Sequence, residues 1–218
     1  MKIDISIDKI LKDNRLNLEI GLIEPEVDFS FGKVKVYSGE KYDTDVFDTI
    51  IDELSGNFAF NKSGLSVLYA MLSELIENTA CYAYTGTALD KRWYVVVEDK
   101  PSAVRVAFLD LGVGIPESIR KSYDRLDAAK KCVNLKRLCD GELIAKALYG
   151  TLIRNQSDPA QQGLPMVFKH SIFEKIQNLV IISNKGYYRF KHDNPIVKTL
   201  NHNFYGTLLQ WEIRKEVS

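Results

Sequence analysis

The sequence predicts an α+β fold: a two-layer α/β sandwich whose sheet is mixed but mostly antiparallel, with the helices on one face. Three observations predict it. A long apolar helix over residues 64–84 precedes two strands, RWYVVVED and AVRVAFLD, which a Lys100-Pro101-Ser102 turn separates. The chain ends in further strands, NLVIIS, YYRFKH and GTLLQWEI. Asn184-Lys185-Gly186 reads as a tight turn that folds NLVIISNKGYYRFKH into a hairpin, which excludes an all-parallel sheet.

The elements come in this order. Within residues 1–40, KIDISI, LNLEIGLI and GKVKVY alternate or run apolar and are read as short strands, and TDVFDTIIDELS suits a short helix. Residues 1–56 are taken as an extension that adds to the sheet, forms a dimer interface or docks a partner; residues 57–218 form the main domain. Residues 116–155 read as helical but polar and interrupted. A loop, SDPAQQG, then leads into the helix LPMVFKHSIFEKI.

A chain of 218 residues, 45% hydrophobic and 27% charged, has the composition of an ordinary globular domain. Its formal net charge of zero gives no general attraction to nucleic acid or an anionic membrane. No apolar run approaches the roughly 20 residues that span a bilayer. The N-terminus lacks the apolar stretch of a secretory signal, so the expected compartment is the cytoplasm. Cys132 and Cys139 are spaced to share a helix face, but there is no CxxC and no histidine near them in sequence. Reduced thiols are therefore expected.

The long helix carries the first candidate chemistry. At about 100° per residue, Leu65, Leu68, Leu72, Leu75, Ile76, Thr79 and Ala83 form a core stripe. Ser66, Ser73, Glu77 and Tyr84 form a solvent stripe. Glu74, Asn78 and Cys81 lie on a third face, beside Val67, Ala70 and Met71. A carboxylate and an amide among apolar neighbours need partners. Asn78 offers the neutral carbonyl oxygen that a hard cation accepts, and Glu74 one turn earlier is placed to orient or deprotonate a water. The spacing E-x-x-x-N alone also occurs by chance in many helices, where the amide bonds locally.

The second signal is FLDLGVGIP. Asp110 ends a strand, and Gly112 and Gly114 allow positive φ and close backbone approach. A carboxylate there can accept from an exocyclic amine such as that of adenine; the same residues also suit a plain strand-to-helix turn led by Pro116. Gly163-Leu164 opens a helix whose free N–H groups suit a phosphate. Of Lys130, Lys131, Lys136, Arg137, Lys146 and Arg154 in the preceding insert, some could reach phosphates and most read as a solvated face. Gly206-Thr207 opens the last predicted strand, where the hydroxyl either reaches the base site or pairs in the sheet.

In this order and spacing the motifs resemble the GHKL ATP-binding superfamily, which includes type II topoisomerases, a heat-shock chaperone, histidine kinases and mismatch-repair ATPases. The resemblance covers residues 60–214, and the chain is similar in size to the superfamily's stand-alone bacterial, histidine-kinase-like ATPase domains. ELIENTACYAY looks like the N box, which implies Glu74 as the water-activating base and Asn78 as the magnesium ligand. DLGVGIP looks like the first glycine box, which implies Asp110 on the adenine amine with Gly112 and Gly114 beneath it. QQGLPMV looks like a reduced second glycine box, implying Gly163 and Leu164 near phosphates. Gln161 and Pro165 stand where that box often has glycine. FYGTLLQWEI resembles the terminal Gly-Thr strand and implies Thr207 near adenine. The implied fold is the Bergerat sandwich, with a mobile lid at about residues 117–162 over ATP and Mg2+.

The resemblance leaves three functions open. The leading expectation is a slow ATPase or ATP-driven switch working with a protein partner or as a homodimer. The alternatives are a serine/threonine kinase of the anti-sigma type and a non-catalytic interaction module. A histidine autokinase is disfavoured, because His170, His192 and His202 all come after Asn78.

Overall fold

The computed structural model describes residues 34–39, 44–58, 60–84, 92–124, 135–151 and 163–215. Among them are five α-helices and a five-stranded sheet in the order β1-β2-β3-β5-β4. The strands are β1 (Val34–Gly39), β2 (Trp93–Asp99), β3 (Ala103–Asp110), β4 (Gln177–Arg189) and β5 (Ile196–Arg214). The helices are α1 (Thr44–Asn57), α2 (Lys62–Asn78), α3 (Ile115–Asp124), α4 (Asp140–Leu148) and α5 (Gly163–Ile172). The predicted strands KIDISI and LNLEIGLI, the loop SDPAQQG up to Gly163, and Lys130, Lys131, Cys132, Arg154 and Gln161 lie outside the described residues.

The sheet expected to be mixed is antiparallel at each described pairing. Strand alternation divides its two faces. Val95 and Val97 of β2, Val104, Val106 and Phe108 of β3, and Leu209, Trp211 and Ile213 of β5 join the helices in the main core. The intervening residues Tyr94 and Leu109 cluster with Ile182, Tyr187 and Phe204 on the other side. β1 pairs with β2 at the sheet edge, and Phe47, Ile50, Ile51 and Leu54 of α1 enter the same main core as α2. No helix among the described residues is long and apolar enough to cross a membrane.

α2 begins where Asn61 accepts a hydrogen bond from Gly64 N, an N-cap that satisfies one of the free amides of the first turn. Leu68, Met71 and Leu72 are fully buried, as the helical period requires. The expected helix to residue 84 is real, but its last turn, Thr79–Ala83, is a π-helix. That widening turns Tyr84 inward, so a residue expected in the solvent stripe is buried. α5 stops earlier than LPMVFKHSIFEKI suggests, where Glu174 adopts φ 53 and the amides of Lys175 and Ile176 turn back to His170 O.

The Asn184-Lys185-Gly186 segment is not a hairpin turn. β4 runs through it, and β5 pairs with β4 on both sides of it, so the last strand starts at Ile196 and not at Gly206. Asn184 sits at φ 51 between register shifts, the mark of a β-bulge. The unmatched residues lie on β5, where Thr207 to Phe204 and Phe204 to Thr199 span more residues than the β4 positions they face, and the left-handed backbone at Asn184 inverts the facing of the rest of β4. Ile181 points into the helix-side core before the bulge, and after it Tyr188 takes that side while Tyr187 joins the opposite cluster. The antiparallel inference survives, because the chain reverses between Arg189 and Ile196 instead.

Candidate functional site

The C-terminal half of α2 presents Glu74 and Asn78 half-buried, with Asn78 Nδ2 donating to Glu74 Oε1 at 3.4 Å. Burial, and secondarily the charge of Glu77, raises the Glu74 carboxyl above the usual carboxylate range; the Asn78 amide opposes the shift. Cys81, grouped with this pair on the wheel, is exposed. Gly163, the buried first residue of α5, lies directly against the pair. A Cβ there would overlap Glu74 Oε1 and Asn78 Nδ2, so glycine brings the N-terminus of α5 this close without displacing either side chain. Leu164, next in α5, is partly buried against the main core.

Asp110 closes β3, opposite Trp93 on β2 and Thr207 on β5. It shares alternation with Val104, Val106 and Phe108, so it stands on the helix side of the sheet. Its carboxylate accepts from Gly112 N at 2.8 Å and from the Thr207 hydroxyl. Burial outweighs both bonds and pushes the carboxyl up to about 7.

The loop after Asp110 is wedged from three sides. A Cβ on Gly112 would strike the carbonyl oxygen of Ala83, the same atom that accepts from Val113 N at 2.7 Å. Tyr84 Oη accepts from Leu111 N at 3.2 Å and donates to Arg92 O. Gly114, at φ 86, has room for no side chain between Ser183 Oγ and Asn184 Oδ1. Gly206, at φ 100, passes against the carbonyl of Asp110. The π-turn that ends α2 therefore docks directly on the glycine loop.

The predicted residues thus form two groups. Asp110, Gly112, Gly114 and Thr207 make one; Glu74, Asn78 and Gly163, with Leu164 alongside, make the other. The Thr79–Ala83 turn joins them. Sequence reasoning missed Ser183, Asn184, Tyr84 and the Ala83 carbonyl. Ser183 Oγ lies 3.1 Å from Thr207 Oγ1, accepts from Ile115 N at 2.8 Å and donates to Gly206 O. The Asn-x-Gly pattern marked Asn184 as special, but as a turn. Among the described residues no three of His, Cys, Asp and Glu gather to hold a metal ion. The metal expected here is one that keeps several waters and needs few protein ligands. No protein-family model matches the chain, and no curated protein shows significant similarity to it.

Proposed function

We propose that this chain is a Mg-ATP-binding domain of the GHKL type, with the Bergerat form of the α+β sandwich, acting as a slow ATPase or an ATP-driven switch. One observation carries the proposal: a buried carboxylate at a strand end, Asp110, sits in a glycine loop docked on the end of the helix that bears Glu74 and Asn78. Burial of a carboxylate whose hydrogen bonds do not offset its desolvation is costly, and such groups concentrate at functional sites.

Each residue has a role. Ionised Asp110 accepts a hydrogen bond from the exocyclic amine of adenine, and Thr207 orients the carboxylate. Gly112 and Gly114 let backbone lie against the base. With Nδ2 turned to Glu74, the carbonyl oxygen of Asn78 is the atom that would hold magnesium. The ion supplies charge neutralisation for the phosphates. The first turn of α5, opened by Gly163 and Leu164, offers amides to the same phosphates. Glu74, its proton affinity raised by burial, orients the attacking water and takes its proton. A protein partner or second copy of the chain would read the nucleotide state through the segment between α3 and α5.

Calorimetric titration with ATP and ADP, with and without magnesium, tests the proposal. Both nucleotides are expected to bind, ATP more tightly with the metal. Absence of binding by either would leave an interaction module on the same fold. Glu74→Ala is expected to keep ATP binding and lose phosphate release; release at the wild-type rate would remove Glu74 from that role.

A further inference from the structure

The glycine loop is held by a part of the molecule that no expected motif contains. The bulge residue Asn184 forks across it: Nδ2 donates to Val113 O at 3.0 Å, and Oδ1 accepts from Glu117 N at 3.3 Å. One amide thus ties the loop and the first turn of α3 to β4. The residues on either side extend the hold. Ser183 Oγ accepts from Ile115 N, and Lys185 N donates to Asp140 Oδ2 at 2.9 Å, at the start of α4. Asp140 is also paired with Arg120 of α3 at 2.7 Å, and a Cβ on Gly186 would strike the Asp140 backbone. Three consecutive bulge residues therefore fix the loop, the start of α3 and the start of α4.

The residue type is doubly specified. Position 184 takes φ 51, a left-handed conformation that asparagine tolerates better than most side chains. It also needs a donor and an acceptor on one short planar group, which aspartate and glycine do not provide. A bulge required only to reverse side-chain facing would need neither bond.

We propose that Asn184 is a positioning residue for nucleotide recognition: from the β4 bulge it sets the Gly112–Gly114 backbone against Asp110 without touching the ligand. The proposal rests on the nucleotide-site reading above. Loss of the fork lets the loop sample positions in which its backbone no longer lies against the base, so affinity falls for any adenine nucleotide, with or without magnesium.

The test uses the full chain with Asn184→Asp and Asn184→Gly. The first keeps an acceptor for Glu117 N and loses the donor to Val113 O; the second keeps the backbone conformation and loses both bonds. ADP affinity is measured by calorimetry below the melting point of each variant, and amide hydrogen exchange across residues 111–117 without nucleotide. Both variants are expected to bind ADP about tenfold more weakly. Exchange is expected to quicken at Glu117 in Asn184→Gly alone. ADP affinities within about twofold of wild type, even with lowered melting temperatures, would make Asn184 a structural residue only and overturn the proposal. If the wild-type chain binds neither ADP nor ATP, the nucleotide reading itself fails and takes the proposal with it; those two failures are separated by the wild-type titration.

Discussion

Asp110 is held by the amide of Gly112 and the hydroxyl of Thr207, and the loop beyond it is pinned by Ala83, Ser183 and Asn184. Glu74 and Asn78, by contrast, share one hydrogen bond of 3.4 Å on a half-buried helix face. The glycines repeat the difference. A side chain on Gly112 would meet backbone, which cannot yield; one on Gly163 would meet only side-chain atoms of Glu74 and Asn78, which can swing. One end keeps its shape with nothing bound, which suits the base recognition proposed above. The other leaves its groups free to move, as the proposed phosphate and metal contacts would require.

The largest effect expected from this contrast is that of Gly112→Ala. The new methyl must displace the Ala83 carbonyl and break its bond with Val113 N, a loss of about 3 kcal/mol in stability, measured by thermal or denaturant melting. A loss below about 0.5 kcal/mol would mean that the loop is slack and that the two ends do not differ as described.

Asp110→Asn comes next. It removes the charge proposed to pair with the base amine while keeping the shape, so ADP affinity is expected to fall about tenfold to a hundredfold with little change in fold. The same carboxyl gives a pH signature. Its pKa is about 7 in the folded chain against about 3.9 unfolded, so the unfolded state releases its proton first. The stability Asp110 contributes is complete below the unfolded value and is lost as pH rises toward the folded one. The proposed base contact needs the ionised form and runs the other way: ADP should bind about tenfold more tightly at pH 8 than at pH 6. That slope should vanish in Asp110→Asn. A pH-independent wild-type affinity would remove Asp110 from the base contact.

How much of this was legible depends on the range over which each residue acts. Glu74, Asn78 and Asp110 were readable because helix period and strand alternation place side chains from sequence alone, and Asp110 does share the helix-side facing of Val104, Val106 and Phe108. Asn184 was misread because asparagine before a nearby glycine signals positive φ, and a tight turn and a bulge both need it. Only the long-range pairing of residues 186–189 with 196–199 decides between them. The Ala83 carbonyl carried no signal, since a backbone atom is the same in every residue. It became special only when the last turn of α2 widened into a π-helix.

At the looser end, Asn78→Ala is expected to leave magnesium-free ADP binding near wild type and to abolish the gain that magnesium gives ATP, a change of about tenfold in the ratio of the two affinities. A retained metal effect of wild-type size would place the cation elsewhere.

Gly163→Ala should have the smallest effect on stability and is the sharpest comparison with Gly112→Ala. Alanine favours a helix over glycine by up to about 1 kcal/mol, which offsets the cost of swinging Glu74 and Asn78 aside. Melting should therefore move little, in either direction. The swing nevertheless breaks the Glu74–Asn78 bond and crowds the first turn of α5, so ATP with magnesium should bind about threefold to tenfold more weakly, while ADP without metal is unchanged. The pair of alanine variants then separates stability from ligand response at the two ends. If Gly163→Ala melts as early as Gly112→Ala, the Glu74–Asn78 face is as rigid as the glycine loop, and its half-buried carboxylate is a packing residue and not one waiting for water.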